Sequence, residues 1–233
     1  MRRSFQGPSA GQSWAGPSAR GGERGAASRL PAPRWVSLGG LVLLAAGCSG
    51  GGDPTAPKVS APDAANQALA EYDANKDGAL DPKELEACPG LQGALKRADK
   101  NNDGRLSADE VADRLAYFQQ SGMQMDVTVE VALDGWPLAG ATVTLVPEKL
   151  MGSSVKPASA VTDEAGSGLF KTEGEGVAPI APGYYRLQVS KHVQGGELIP
   201  PKYNTQTVLG QEIVPDAEGR GTSCTVRLRL TRR

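Results

Sequence analysis

The stretch Asp73-Ala74-Asn75-Lys76-Asp77-Gly78-Ala79-Leu80-Asp81-Pro82-Lys83-Glu84 carries a side-chain oxygen at positions 1, 3, 5, 9 and 12 and a glycine at position 6. Downstream, Asp99-Lys100-Asn101-Asn102-Asp103-Gly104-Arg105-Leu106-Ser107-Ala108-Asp109-Glu110 repeats the pattern, with Ser107 at position 9. Gly78 and Gly104 permit the sharp turn that lets each run wrap around a centre. Asp81-Pro82-Lys83-Glu84 and Ser107-Ala108-Asp109-Glu110 both read as capping boxes, and Pro82 falls at a first helical position. Each run therefore leads into a helix. Ahead of the first run, Ala65, Leu69 and Tyr72 recur at helical spacing. Leu91, Ala94, Leu95 and Ala98 make one apolar face and Val111, Leu115 and Phe118 another, so four helices can bury a small core.

Such all-oxygen sets suit a hard cation, and calcium takes six to eight oxygens. The pattern resembles the EF-hand family, present here as a tandem pair and implying two calcium ions. In the first loop the resemblance assigns Asp73, Asn75, Asp77, the Ala79 carbonyl, Asp81 and Glu84 as ligands. In the second it assigns Asp99, Asn101, Asp103, the Arg105 carbonyl, Ser107 through water and the bidentate Glu110, with Asp109 pointing away. Leu80 and Leu106, both at position 8, fit the short strand pairing by which such loops dock. Only 14 residues separate Glu84 from Asp99, interrupted by Cys88-Pro89-Gly90. At about 1.5 Å per residue they give at most about 20 Å of helix, so the middle helices are expected to have about two turns each. That leaves little groove to open. A compact structural pair, similar to dockerin-like and other extracellular EF hands, is expected rather than a sensor, with dissociation constants of about 10⁻⁴ to 10⁻³ M. Four coordinating carboxylates in the first loop against three in the second predict tighter binding by the first.

From Met125 the period changes to two. Val127, Val129, Val131 and Leu133 alternate with Thr128, Glu130 and Ala132, and Asp134-Gly135 then turns the chain, which is a half-buried strand followed by a hairpin. Further strands are expected at 141–146, 158–162, 168–172, 184–189 and 224–230, separated by Gly/Pro/Asp turns. Asp134-Gly135-Trp136-Pro137-Leu138-Ala139-Gly140-Ala141-Thr142-Val143, Thr162-Asp163-Glu164-Ala165-Gly166, Pro182-Gly183-Tyr184-Tyr185-Arg186-Leu187 and Ile199-Pro200-Pro201-Lys202-Tyr203 together resemble the carboxypeptidase regulatory-like, transthyretin-like sandwich of small bacterial lipoproteins. The resemblance implies no peptidase activity and supplies no catalytic residues.

The front of the chain reads as an address. Residues 35–46 form an apolar run of 12, too short for the roughly 20 residues that span a bilayer and sized like a signal h-region behind Arg34. It ends in Leu44-Ala45-Ala46-Gly47-Cys48, which resembles a lipoprotein lipobox and implies lipidation of Cys48. Residues 1–33 read as disordered. Arg2-Arg3-Ser4-Phe5 looks like part of a twin-arginine signal but lies far from the h-region, and a start at Leu30 would leave an n-region of ordinary length. Gly7-Pro8-Ser9-Ala10-Gly11 matches a hydrolase nucleophile elbow without the strand and helix that motif needs.

Before Cys48 there are six arginines and one acid, Glu23, leaving 19 basic and 25 acidic residues afterwards. That mildly acidic remainder offers no basic stripe to displace phosphate counterions, so nucleic acid is not an expected partner. The three cysteines are too few for a disulfide scaffold. Cys224 shares a strand face with Val226, Leu228 and Leu230 and reads as a buried thiol, with a disulfide to Cys88 as the alternative. His192, the sole histidine, reads as a surface residue. Met123, Met125 and Met151 read as connector and loop residues.

The expected organisation is α plus all-β: an export region (1–47, with 34–47 the h-region and lipobox), a flexible linker (48–61), a compact EF-hand pair (62–120) and an antiparallel Ig/transthyretin-like β-sandwich (125–231). The expected function is calcium binding in a non-enzymatic protein, exported and lipid-anchored in the bacterial envelope at the outer membrane or periplasmic face. Its sandwich would bind an envelope protein or polysaccharide. The alternative makes the EF-hand pair a dockerin-like partner surface with the sandwich as spacer.

Overall fold

The computed structural model describes residues 57–121, 124–172, 179–215 and 222–233, and these described residues belong to one compact unit. The export region, the lipobox and Cys48 lie outside the described residues, as does Met123. No helix among the described residues is long and apolar enough to cross a membrane.

Helix α1 (Ala61–Tyr72) begins at Ser60, whose hydroxyl accepts the Asp63 N–H, with Pro62 in the first turn, where its missing N–H costs nothing. It buries Ala64, Ala65, Ala68 and Tyr72. The first loop contains β1 (Ala79–Leu80) and leads into a 3₁₀ turn, Glu84–Ala87, and then α2 (Pro89–Ala98). The second loop contains β2 (Leu106–Ser107) and leads into α3 (Ala108–Ser121). β1 and β2 pair antiparallel, Leu80 opposite Leu106. The spacing predicts middle helices of about two turns each, but the two are unequal. Pro89 disfavours helical backbone at the residue before it, and Cys88 sits at φ −130°, ψ 75°. The helix leaving the first loop therefore stops after one 3₁₀ turn, and α2 takes ten of the intervening residues.

The strands that follow are β3 (Asp126–Leu133), β4 (Trp136–Pro137), β5 (Thr142–Pro147), β6 (Ala158–Val161), β7 (Ser167–Leu169) and β8 (Lys171–Thr172). After them come β9 (Gly183–Ser190), β10 (His192–Val193), β11 (Gly196–Glu197), β12 (Gly210–Ile213) and β13 (Ser223–Leu230). One sheet has the order β12-β9-β5-β6-β8 and the other β13-β3-β4, with β7 also on β3, while β10 and β11 form a separate hairpin. The pairing is antiparallel except that β13 runs parallel to β3, from Ser223 opposite Asp126 to Leu230 opposite Leu133. The single strand expected over 168–172 is divided at Phe170, since β7 pairs with β3 and β8 with β6. The buried Phe170 marks the point where the chain changes sheets.

Val127, Val129, Val131 and Leu133 face inward, as their alternation requires, and Asp134 and Gly135 take φ values of 51° and 86°, the left-handed pair that a tight hairpin needs. Met125 and Met151 are core residues rather than connectors: both are fully buried, Met125 bridging Ile180 and Met151 lying against Gly183. A flexible thioether fills such irregular gaps.

One continuous apolar core runs through the helices and both sheets. On β9, Leu187 and Val189 alternate with half-buried residues, but Gly183, Tyr184 and Tyr185 are all buried. The second face at that end is covered by α2 and α3. Phe118 of α3 meets Tyr184 edge-on, with centroids 5.1 Å apart and rings inclined at 71°. The segment entering α1 is held too: the Gln119 amide donates to the carbonyls of Pro57 and Val59, and the Lys58 N–H donates to Ser154 Oγ.

Candidate metal centre

The first loop is curled by its own side chains. Asp73 caps α1, its N–H donating to the Leu69 carbonyl, while its carboxylate accepts the N–H groups of Lys76, Asp77 and Gly78 at 2.7–3.3 Å. Asn75 Oδ1 accepts the Asp77 N–H, and Asp77 Oδ1 accepts the Ala79 N–H. Asp81 Oδ1 takes the N–H groups of Lys83 and Glu84, and Glu84 Oε2 returns to the Asp81 N–H at 3.0 Å, closing the capping box. Glu84 Oε1 reaches back to the N–H groups of Ala74 and Asn75, tying the end of the loop to its beginning.

The second loop repeats this network. Asp99 accepts from Asp103 and Gly104, Asn101 Oδ1 from Asp103, and Asp103 Oδ1 from Arg105. Glu110 Oε1 accepts from Lys100 and Asn101, and Glu110 Oε2 from the Ser107 N–H and hydroxyl. Burial raises the proton affinity of Glu110, but these donors outweigh it and hold the carboxyl below its ordinary range. Position 4 is left-handed in both loops (Lys76 φ 60°, Asn102 φ 58°), as is position 6 (Gly78 φ 88°, Gly104 φ 82°). A Cβ on either glycine would meet nothing, so conformation and not space requires glycine there.

An ionised carboxylate offers about four lone-pair sites, so side chains engaged by backbone N–H groups keep sites for a cation. Among the described residues no group of three or more His, Cys, Asp or Glu side chains could by itself hold a metal ion. The loops are mixed donor sets in which Asn75, Asn101, Ser107 and the carbonyls of Ala79 and Arg105 would have to share the work. Hard oxygens in two equivalent frames fit calcium and suit softer metals poorly.

The surroundings of the loops were not legible in the sequence. Glu148, fully buried, accepts the Gly90 N–H at 2.9 Å in the first turn of α2 and pairs with Arg186 Nη2 at 2.6 Å. A sandwich carboxylate thus satisfies an otherwise unpaired donor at the positive end of α2. Glu212 of β12, 1% exposed, pairs with Arg97 Nη1 at 3.2 Å and Arg114 Nε at 2.5 Å. Arg97 lies two residues before Asp99 and Arg114 four after Glu110, so both helices flanking the second loop grip one strand. Arg105 of the second loop pairs with Asp77 of the first at 2.5 Å.

His192 is exposed, as expected, but it has a partner five residues on across the β10–β11 hairpin. Its Nδ1 lies 3.7 Å from Glu197 Oε2 and 3.4 Å from Ser190 Oγ. The Ser190 hydroxyl donates to Glu197 at 2.5 Å. Cys88 is buried between helices and sandwich, Cys224 is half-buried on β13, and both thiols are free.

An EF hand family model matches residues 66–89 and 91–113, one match over each loop with its flanking segments. The chain thus carries a tandem pair of EF-hand motifs, a motif class that implies calcium as ligand. Comparisons with curated proteins and with solved structures give no match.

Proposed function

We propose that the protein binds two calcium ions, one in each loop, and that the ions brace a β-sandwich held at the bacterial cell envelope by lipid on Cys48. The observation that carries the reading is the hydrogen-bond network that recurs at positions 1, 3, 5 and 12 of both loops, Asp73 to Glu84 and Asp99 to Glu110. In the first loop Asp73, Asn75, Asp77, Asp81, Glu84 and the Ala79 carbonyl would hold the ion. In the second the holders would be Asp99, Asn101, Asp103, Glu110, the Arg105 carbonyl and Ser107. Calcium would neutralise each acidic loop, while Glu84 and Glu110 already join the start of each loop to its end.

A bracing role is favoured over a dockerin-like partner surface because α2 lies on β12 and β9 of its own sandwich, held by Glu148 and Glu212. That face of α2 is occupied by the chain's own sandwich. The paired sheets and the left-handed Asp134-Gly135 turn support the carboxypeptidase regulatory-like assignment of the sandwich, which would carry the contact with an envelope protein or polysaccharide.

Thermal unfolding with and without calcium tests the central claim. A ligand at 100 times its dissociation constant stabilises by about 2.7 kcal/mol per site, and an unchanged transition at about 100 mM calcium, roughly 100 times the weaker expected constant, would remove the reading. Loss of membrane fractionation in Cys48→Ser tests the anchor separately.

A further inference from the structure

We infer that Arg105 sets the calcium affinity of the first loop, lowering it through the ion pair of its guanidinium with Asp77. The inference rests on the calcium reading above and concerns the division of affinity between the two loops.

The residue has two opposed roles by position. Its backbone stands at position 7 of the second loop, where the carbonyl would be a ligand, and its N–H donates to Asp103 at 2.8 Å. Its side chain crosses to the first loop and places Nη1 2.5 Å from Asp77 Oδ2. Asp77 Oδ1 accepts the Ala79 N–H at 3.1 Å, while Oδ2, the oxygen with no backbone donor, also receives the Asn75 amide at 3.2 Å. A calcium ion entering the first loop meets a ligand already engaged by a fixed positive charge. The short β1–β2 pairing, Ala79 with Ser107 and Leu80 with Leu106, holds the two loops together so that the side chain reaches.

The relationship is not reciprocal. Position 7 of the first loop is Ala79, which has no charge to offer, and the equivalent Asp103 Oδ2 receives the Asn101 amide at 2.9 Å. The first loop has four coordinating carboxylates against three, but Arg105 offsets one of them. The advantage expected from the carboxylate count is cancelled by a residue of the neighbouring loop.

Calcium titration calorimetry on the full chain decides the matter. Glu110→Gln silences the second loop, and Arg105→Gln in that background removes the charge while keeping the backbone carbonyl. First-loop affinity should rise about two- to fivefold, the range of an exposed ion pair, and the gain should shrink in high salt. Arg105→Gln in the intact pair, fitted with two sites, gives the same comparison without the silencing substitution. An unaltered first-loop constant would overturn the inference, as would a weaker one, which would mean that Arg105 positions Asp77 for the ion. No calcium uptake by the unsubstituted chain would remove the calcium reading itself, and this inference with it.

Discussion

Gly210 of β12 lies so close to Pro89 at the start of α2 that a Cβ on residue 210 would fall 1.7 Å from the Pro89 carbonyl oxygen. Gly93, one turn further along α2, has the same relation in reverse, a Cβ there falling 2.8 Å from the Gly210 carbonyl oxygen. Helix and edge strand meet backbone to backbone, and the strand edge that would otherwise invite pairing with another chain is covered. Gly210→Ala should therefore destabilise the whole unit. A loss of about 1–3 kcal/mol or more is expected in denaturant unfolding, as for overpacking at a site whose obstacle is main chain. Unchanged stability would show that the contact yields.

Arg114 and Arg97 hold the same buried carboxylate but should differ in importance. Arg114 has 19% of its side chain exposed and lies over the rings of Tyr117 and Phe118, whereas Arg97 is 59% exposed. Arg114→Met should cost about 3 kcal/mol, because it breaks a pair with little solvent to replace it. Arg97→Met should cost about 1 kcal/mol or less. Equal losses in parallel unfolding experiments would contradict this division.

Glu197 gives the β10–β11 hairpin a pH dependence. Partial burial pushes its carboxyl up, but Ser190, the N–H groups of Lys191 and Ile199, and His192 outweigh that and bring it down to about 2 from an ordinary 4.5. The folded form thus holds the proton less well than the unfolded chain does. The stabilisation is present above about pH 4.5 and is lost as pH falls toward 2. Thermal unfolding of the parent and of Glu197→Gln should differ near neutrality and converge in that window, and a constant difference would refute the assignment.

Cys88 should be chemically silent in the folded protein. Burial, reinforced by the nearby Glu148 carboxylate, pushes its thiol up to about 12. The neutral form prevails in the folded state, so the stabilisation is present below about pH 9 and declines as pH rises toward 12. In alkylation at pH 8 followed by peptide mapping, Cys88 should remain unmodified until denaturant is added, while the half-buried Cys224 reacts first. Comparable rates without denaturant would contradict the burial.

These predictions fall on residues of unequal legibility. The caps at Asp81 and Ser107, the left-handed glycines and the Leu80–Leu106 pairing could be read directly, because each is enforced within or between two short loops of fixed spacing. The strands of period two were legible for the same local reason. β4, β10, β11 and β12 are too short to show a period, and the division at Phe170 depends on which sheet each neighbouring strand joins. Pro89 carried a readable signal against equal middle helices. Tyr184 carried one too: an aromatic residue on what should be the wet face of β9 announced a second covered surface without saying by what.

The sequence by itself determined the two twelve-residue frames and the alternating faces of the sandwich, since backbone hydrogen bonding and side-chain periodicity act over a few residues. Only the tertiary structure decided that β13 lies parallel to β3, that Glu148 and Glu212 are buried under α2, and that Arg105 reaches Asp77. Those contacts join residues from 28 to 115 positions apart. At such separations a charged residue looks the same in sequence whether it faces water or a single partner, and packing alone makes the difference.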